Sequence, residues 1–174
     1  MFVELTDWIA ASELRSWVIH MLSNFSFLPP VIQSIHIVSM CVIVGSVGFL
    51  SLRLVGIAVP TQSVSEMLQR LSPWFLCALP VSGLSGMVFV VARPARYFFN
   101  PVVGVKTVLF VIGVVLAVFI YLWDRSRNGF WDHKGTNAVV VRLIGYFSIV
   151  VWLGVILSGR WIAYVDYLFW PGAA

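Results

Sequence analysis

The stretch from Ser16 to Leu52, SWVIHMLSNFSFLPPVIQSIHIVSMCVIVGSVGFLSL, contains no Asp, Glu, Lys or Arg. A membrane-spanning helix needs about 20 residues to cross roughly 30 Å of hydrocarbon, so this run is too long for one helix. Pro29 and Pro30 divide it. Proline fits the first turn of a helix, where its missing N–H is not needed. A spanning helix is therefore expected from about residue 30 to Arg53, where the next charge stands. Charge is the right ruler here, because one at the bilayer centre costs about 2.5–3.5 kcal/mol on insertion scales.

Three further runs read the same way. Leu71 to Ala92, opened by Ser72-Pro73, predicts a helix over 71–92. Thr107 to Trp123, extended back to Val102, predicts 102–123. Leu143 to Gly159, extended at both ends, predicts 138–162. None of them alternates with period two, which argues against a β-barrel.

Composition agrees. Of 174 residues, 60% are hydrophobic and only 10% charged. Soluble domains carry about 45–50% apolar and about 25% charged residues. The mean hydropathy is +0.97. Disordered proteins, coiled coils and ordinary soluble enzymes are excluded on these grounds. The net charge of +4 comes from eleven Lys and Arg spread over every loop, without the basic stripe that nucleic acid requires. Such an excess suits loops that face anionic lipid. Cys41 and Cys77 fall inside apolar runs and outside any metal-type spacing, and read as small buried hydrophobes.

Ahead of the first span, Thr6 is placed to cap a helix that opens on Asp7. Ala10, Leu14, Trp17, Val18 and Met21 share one face, with Glu13, Ser16 and His20 on another. An amphipathic helix over about 6–22 is expected, lying in the interface or packed on the end of the bundle. The acidic start, Glu4 and Asp7, is wrong for a secretory signal. The fold class is thus all-α: a single-domain, integral membrane, antiparallel four-helix bundle with an N-terminal interfacial helix.

An even number of spans puts Arg15, Arg93, Arg96, Lys106 and Arg160 on one side. Arg53, Arg70, Arg125, Arg127, Lys134 and Arg142 fall on the other. The polar connection Asp124–Thr136 carries Arg125, Arg127 and Lys134, which places it in the cytoplasm and both termini in the periplasm. Trp74, Trp123 and Trp131 would mark one interface, and Tyr97, Trp161, Tyr164 and Trp170 the other.

No P-loop, GxSxG, HExxH or CxxCH is present, and no acidic pair lies inside a predicted span. Ser82 with Gly86, Gly154 with Ser158, and Cys41, Gly45 and Gly48 read as small residues that let helices approach. Pro80 is expected to kink the second span. The unusual residue is His36, about 9 Å inside the first span, with Gln33 and Ser34 one turn earlier. Topology brings Asn100, Lys106 and Arg160 to the same end. Snorkelling to the headgroups accounts for each basic residue singly. Together, His36, Gln33, Asn100, Lys106 and Arg160 describe a polar pocket for an anionic or acceptor-rich ligand, a quinone or a lipid. A b-type haem on His36 is the alternative. His133 belongs to the far end, so a second axial ligand would be His20, Met40 or another chain.

The motifs resemble a family of small bacterial four-helix membrane proteins of unknown function, over most of residues 30 to 165. Its first helix carries a histidine and glycines and ends in D-L-R-L-x-G; its third begins N-P-x-x-x-x-K; its fourth ends G-R-W-I-A-Y. This chain has His36, Gly45, Gly48 and Ser51-Leu52-Arg53-Leu54-Val55-Gly56, then Asn100-Pro101 with Lys106, then Gly159-Arg160-Trp161-Ile162-Ala163-Tyr164. Ser51 departs from the acid. The resemblance implies no assigned reaction. A more distant similarity to copper-resistance membrane proteins of the D type rests on the first-helix histidine and glycines.

The expected role is a non-catalytic subunit or anchor of a larger, redox-linked complex in the bacterial inner membrane. Lipid and other membrane subunits, or further copies of the chain, are the expected partners. An electron carrier with haem b on His36 is the second expectation, and a small transporter or metal permease the third.

Overall fold

The protein is described by a computed structural model over residues 2–127, 129–133 and 137–165. All regular structure among these residues is helical. The N-terminal stretch forms two helices, α1 (Phe2–Ala10) and α2 (Glu13–Asn24), where one was expected over 6–22. Ser12 makes the break. Its backbone is extended, and its Oγ accepts from Arg15 N at 3.2 Å while donating to Ile9 O at 2.6 Å. One hydroxyl thus closes α1 and caps α2. Thr6, expected as a cap, is buried inside α1.

Helix α3 runs Leu28–Val55, with Pro29 and Pro30 in its first turn as expected. It ends at Gly56, whose φ of 94° is left-handed and whose N–H reaches Leu52 O and Arg53 O. Helix α4 runs Val64–Ala92 and starts well before the predicted residue 71. Ser63 caps it, accepting from Glu66 N at 3.1 Å, and Glu66 pairs with Arg70 at 2.7 Å. Charge limits how much of a helix can sit in hydrocarbon, not how far the helix extends. Pro73 and Pro80 are both interior to α4 and both exposed, so they stand on its outward face, away from the helix seam.

A short helix α5 (Pro94–Phe98) fills the connection to α6 (Pro101–Ser126). A 3₁₀ turn, Phe130–Asp132, precedes α7 (Ala138–Trp161), which ends in a second 3₁₀ turn, Ile162–Tyr164. The helices α3, α4, α6 and α7 are each long and apolar enough to cross a membrane, which marks a multi-pass membrane protein. Their outward residues are apolar too: Val38, Leu84, Val115 and Val150 are all more than half exposed.

Helix α3 packs between α4 and α7, and α6 packs on α7, while α4 and α6 barely meet. The start of α3 lies against the end of α4, and the start of α6 against the end of α7. Helices α1 and α2 sit at that same end, against α5 and α4. The middle of the core is apolar, with Ile43, Val47, Phe75, Ala117 and Val155 around Trp152. Phe75 and Phe110 meet the Trp152 ring edge-on, at 6.5 and 5.9 Å between centroids. A second apolar layer, Leu50, Leu54, Leu68, Ile120 and Trp131, fills the end away from α1. The remaining layer is polar and is described below.

Of the glycines expected at close approaches, Gly86 and Gly154 are at them, a Cβ standing 3.2 Å from His36 Cε1 and 2.9 Å from Leu109 Cδ1. A Cβ on Gly45 or Gly48 would meet nothing within 4 Å. On Gly145 it would stand 2.9 Å from Ser51 O, and on Gly113 2.9 Å from the Trp152 ring. Beside Gly145, Ser51 Oγ lies 2.7 Å from Val47 O and 2.8 Å from Ser148 Oγ, joining α3 to α7. Spacing marks small residues but does not say which face meets a neighbour. Cys41 and Cys77 are exposed on the outside of α3 and α4, not buried. Trp131 is buried and donates to Ile120 O at 3.0 Å, so it is a core residue and not an interface marker. Trp74 and Trp161 are exposed as expected, and Trp170 lies outside the described residues.

Asp132 supplies a cap that the sequence did not reveal. Its carboxylate accepts from Val64 N at 2.9 Å and Ser65 N at 3.0 Å, satisfying the open donors at the start of α4. Asp132→Ala is expected to lower stability by about 1 kcal/mol. Thermal unfolding in mild detergent checks this, and an unchanged midpoint would contradict the cap.

Candidate functional site

The polar layer lies where α3 and α6 begin and α4 and α7 end. Helix α3 brings His36, half-buried, to α4. Its Nδ1 lies 3.0 Å from Ser82 O and 3.1 Å from Ser85 Oγ. A carbonyl can only accept, so Nδ1 carries the proton and donates to Ser82. The Ser85 hydroxyl gives its own proton to Val81 O at 2.7 Å, so toward His36 it is a second acceptor. In the neutral ring, Nε2 is then left with a lone pair.

The Ser82–Gly86 pair, read from sequence as helix packing, is what receives the histidine. A Cβ on Gly86 would lie 3.2 Å from His36 Cε1. Gly86→Ala is therefore expected to push the ring and lengthen its bond to Ser82. The cost is up to about 1.5 kcal/mol, roughly one hydrogen bond. Gly83→Ala, with nothing within 4 Å of its Cβ, should be neutral or stabilising. Side-chain NMR of His36 in the two variants separates them: a ring signal that moves equally in both contradicts the contact.

Lys106, on α6, is half-buried and crosses to α7, where a Cβ on Gly159 would stand 3.7 Å from its Cε and Nζ. Two helix pairs thus send a titratable side chain toward the same end of the bundle. Two buried serines lie near them in sequence or contact, Ser39 three residues after His36 and Ser158 next to Gly159. Ser39 Oγ donates to His36 O at 2.9 Å, and Ser158 Oγ donates to Gly154 O at 2.7 Å. Their protons are committed to their own helices, and their lone pairs remain.

The other expected residues are placed differently. Asn100 is 5% exposed and caps α6, its Oδ1 accepting from Val102 N at 2.9 Å and its Nδ2 donating to Ile162 O at 3.4 Å. It therefore ties α6 to α7 and has little left for a ligand. Arg160 is exposed and turns to Tyr164, donating to its hydroxyl at 2.8 Å with the guanidinium 4.9 Å over the ring. Gln33 is exposed on the outside of α3. His20 bonds Asn24 at 2.8 Å, and Met40 packs on the apolar core.

At the far end, an open cavity of about 680 Å³ is lined by Ser65, Gln69, Tyr121, Asp124, Asp132 and His133. Ser65 Oγ stands 3.0 Å from both Asp124 Oδ1 and Asp132 Oδ2. Asp124, expected in the polar connection after the third span, lies in the last turn of α6 and is 8% exposed. Only the early start of α4, signalled by Ser63 and Glu66, brings Ser65 to it. His133 lies at this end, away from His36, as expected. Among the described residues, no three His, Cys, Asp or Glu stand close enough together to hold a metal ion.

Neither the curated proteins nor the solved structures include a match to the chain. A family model does match, over residues 27–165, which takes in α3 through the 3₁₀ turn after α7 and so every residue of the polar layer. By that match the chain belongs to the Family of unknown function (DUF6644).

Proposed function

We propose that this protein is a non-catalytic membrane subunit or anchor of a larger, redox-linked complex. In this reading it is an antiparallel four-helix bundle that holds a quinone-like or lipid ligand beside His36 and Lys106. The observation that carries the ligand is the polar layer itself. Its His36 is oriented by Ser82 O at 3.0 Å, and its Lys106 ammonium lies against Gly159. A polar layer under apolar walls is expensive in hydrocarbon unless it serves a ligand or a water-filled path. Among the described residues, Lys106 forms no ion pair with a carboxylate, which suits an oxygen-bearing head group.

The membrane assigned in this reading is the bacterial cytoplasmic membrane, with α1, α2 and the C-terminus on the periplasmic side. The exposed Trp8, Leu14 and Trp17 of α1 and α2 then lie among the headgroups. Lys106 and Arg127 are separated by roughly 31 Å of helix at 1.5 Å per residue, which puts them at opposite interfaces. Cysteines introduced at Arg160 and Arg127 should label from opposite sides of oriented vesicles. Labelling of both from one side would show that a span had been miscounted. Lys134, on the cytoplasmic side in this reading, lies outside the described residues.

A b-type haem on His36 is the second reading. What favours it is the Nδ1–H bond to a backbone carbonyl, the orientation that metal-bound histidines adopt. Extraction of detergent-purified protein tests the first reading. One small molecule should be enriched over the bulk membrane extract, and a composition equal to the bulk would reject a pocket. A Soret band in the same sample would move the assignment to haem.

A further inference from the structure

The hydrogen-bond inventory of the polar layer restricts what can occupy it. His36 Nδ1–H is committed to Ser82 O at 3.0 Å. The hydroxyl protons of Ser39, Ser85 and Ser158 are committed to carbonyls of their own helices at 2.9, 2.7 and 2.7 Å. What these groups turn outward is lone pairs. The Lys106 ammonium is the one strong donor group among them, and it carries the positive charge of the set. In its neutral form the His36 imidazole, with Nδ1–H committed to Ser82 O, offers an acceptor at Nε2. A ligand carrying only acceptors would satisfy Lys106 and leave Nε2 unpaired, which is costly in a half-buried site.

We infer that the head group held here presents an O–H donor to His36 Nε2 and an oxygen acceptor to the Lys106 ammonium. The inference rests on the pocket reading above and narrows it. A hydroquinone has this chemistry, and so does the phosphomonoester of phosphatidic acid, whose P–OH and P–O⁻ are adjacent. An oxidised quinone lacks the donor, and so does a phosphodiester whose head group carries neither hydroxyl nor N–H, such as phosphatidylmethanol. The structure thus favours the reduced form of a quinone-type ligand.

Two matched probe pairs test this on the full-length protein in detergent: a decyl-benzoquinol against its benzoquinone, kept anaerobic, and phosphatidic acid against phosphatidylmethanol. Binding is read by titration of tryptophan fluorescence. In at least one pair, the member with the hydroxyl should bind about two- to tenfold more tightly, the worth of one neutral hydrogen bond. The pair that shows the preference identifies the source. His36→Leu should abolish the preference, and His36→Gln, which keeps an acceptor oxygen near the Nε2 position, should retain part of it.

A preference for the hydroxyl member in neither pair overturns the inference, as does a preference that survives His36→Leu. If both members bind equally and Lys106→Met weakens both, the pocket stands and only the donor rule falls. If no probe binds above a phosphatidylcholine background, the pocket reading itself fails and takes the inference with it.

Discussion

Gly145→Val is expected to open the seam between α3 and α7 and to leave little folded protein in mild detergent. At this position a Cβ would stand 2.9 Å from the Ser51 carbonyl oxygen, 2.9 Å from Val55 Cγ2 and 3.1 Å from Leu54 Cβ. The first of these is helix backbone, near the end of α3, and cannot rotate away. Overpacking of this kind costs about 1–3 kcal/mol even where side chains can adjust. The damage also reaches the nearby contact of Ser51 with Ser148, two serines that are almost fully buried. Gly45→Val is the control on the outer face, with nothing within 4 Å of its Cβ. Alanine sharpens the contrast, because replacing glycine by alanine inside a helix gains about 1 kcal/mol where space allows. Gly45→Ala should therefore hold or raise the unfolding midpoint and Gly145→Ala should lower it. Midpoints that move together would contradict the seam.

Lys106→Met should empty the polar layer without harming the fold. A charge-assisted hydrogen bond contributes about 1.5–3 kcal/mol, so affinity for an oxygen-bearing head group should fall by about tenfold to a hundredfold. Methionine has a similar length and no charge, so the half-buried position next to Gly159 gains an apolar side chain in place of a desolvated ammonium. Stability should therefore hold or rise while ligand is lost. A lysine that only snorkels predicts neither effect. Arg142→Met, on α7 at the other end and exposed, is the matched control and should leave ligand content unchanged.

The four long helices were legible because absence of charge over about 20 residues is a strong physical signal in a bilayer. Their ends were less so. The start of α4 was placed at Ser72-Pro73 because charge and proline both occur there, although neither ends a helix that is already capped at Ser63 and held by Asp132. The break at Ser12 was hidden inside a stretch of even amphipathic periodicity.

Polarity and topology alone were enough to bring His36 and Lys106 to one end of the bundle. What could not be read was orientation about each helix axis. Asn100 has the right depth but its amide is occupied as a cap, and Arg160 has the right depth but turns to Tyr164. Ser82 and Gly86 were visible as a small-residue pair and Ser85 was not singled out, and only the α3–α4 register shows that all three face the histidine. Asp124 and Ser65 lie far apart in sequence and meet only because α4 starts early.

The central claim is that His36 and Lys106 hold one ligand together. Native mass spectrometry of the detergent-purified protein tests it most directly, comparing the wild-type chain with His36→Leu, Lys106→Met, the double variant and Arg142→Met. A bound small molecule is expected on the wild type and on Arg142→Met, and it should be depleted in each single variant at the polar layer. The double variant should lose less than the sum of the two single losses in free energy, because both residues serve the same molecule. The same adduct at equal occupancy in all five proteins, or none on the wild type, would contradict the claim.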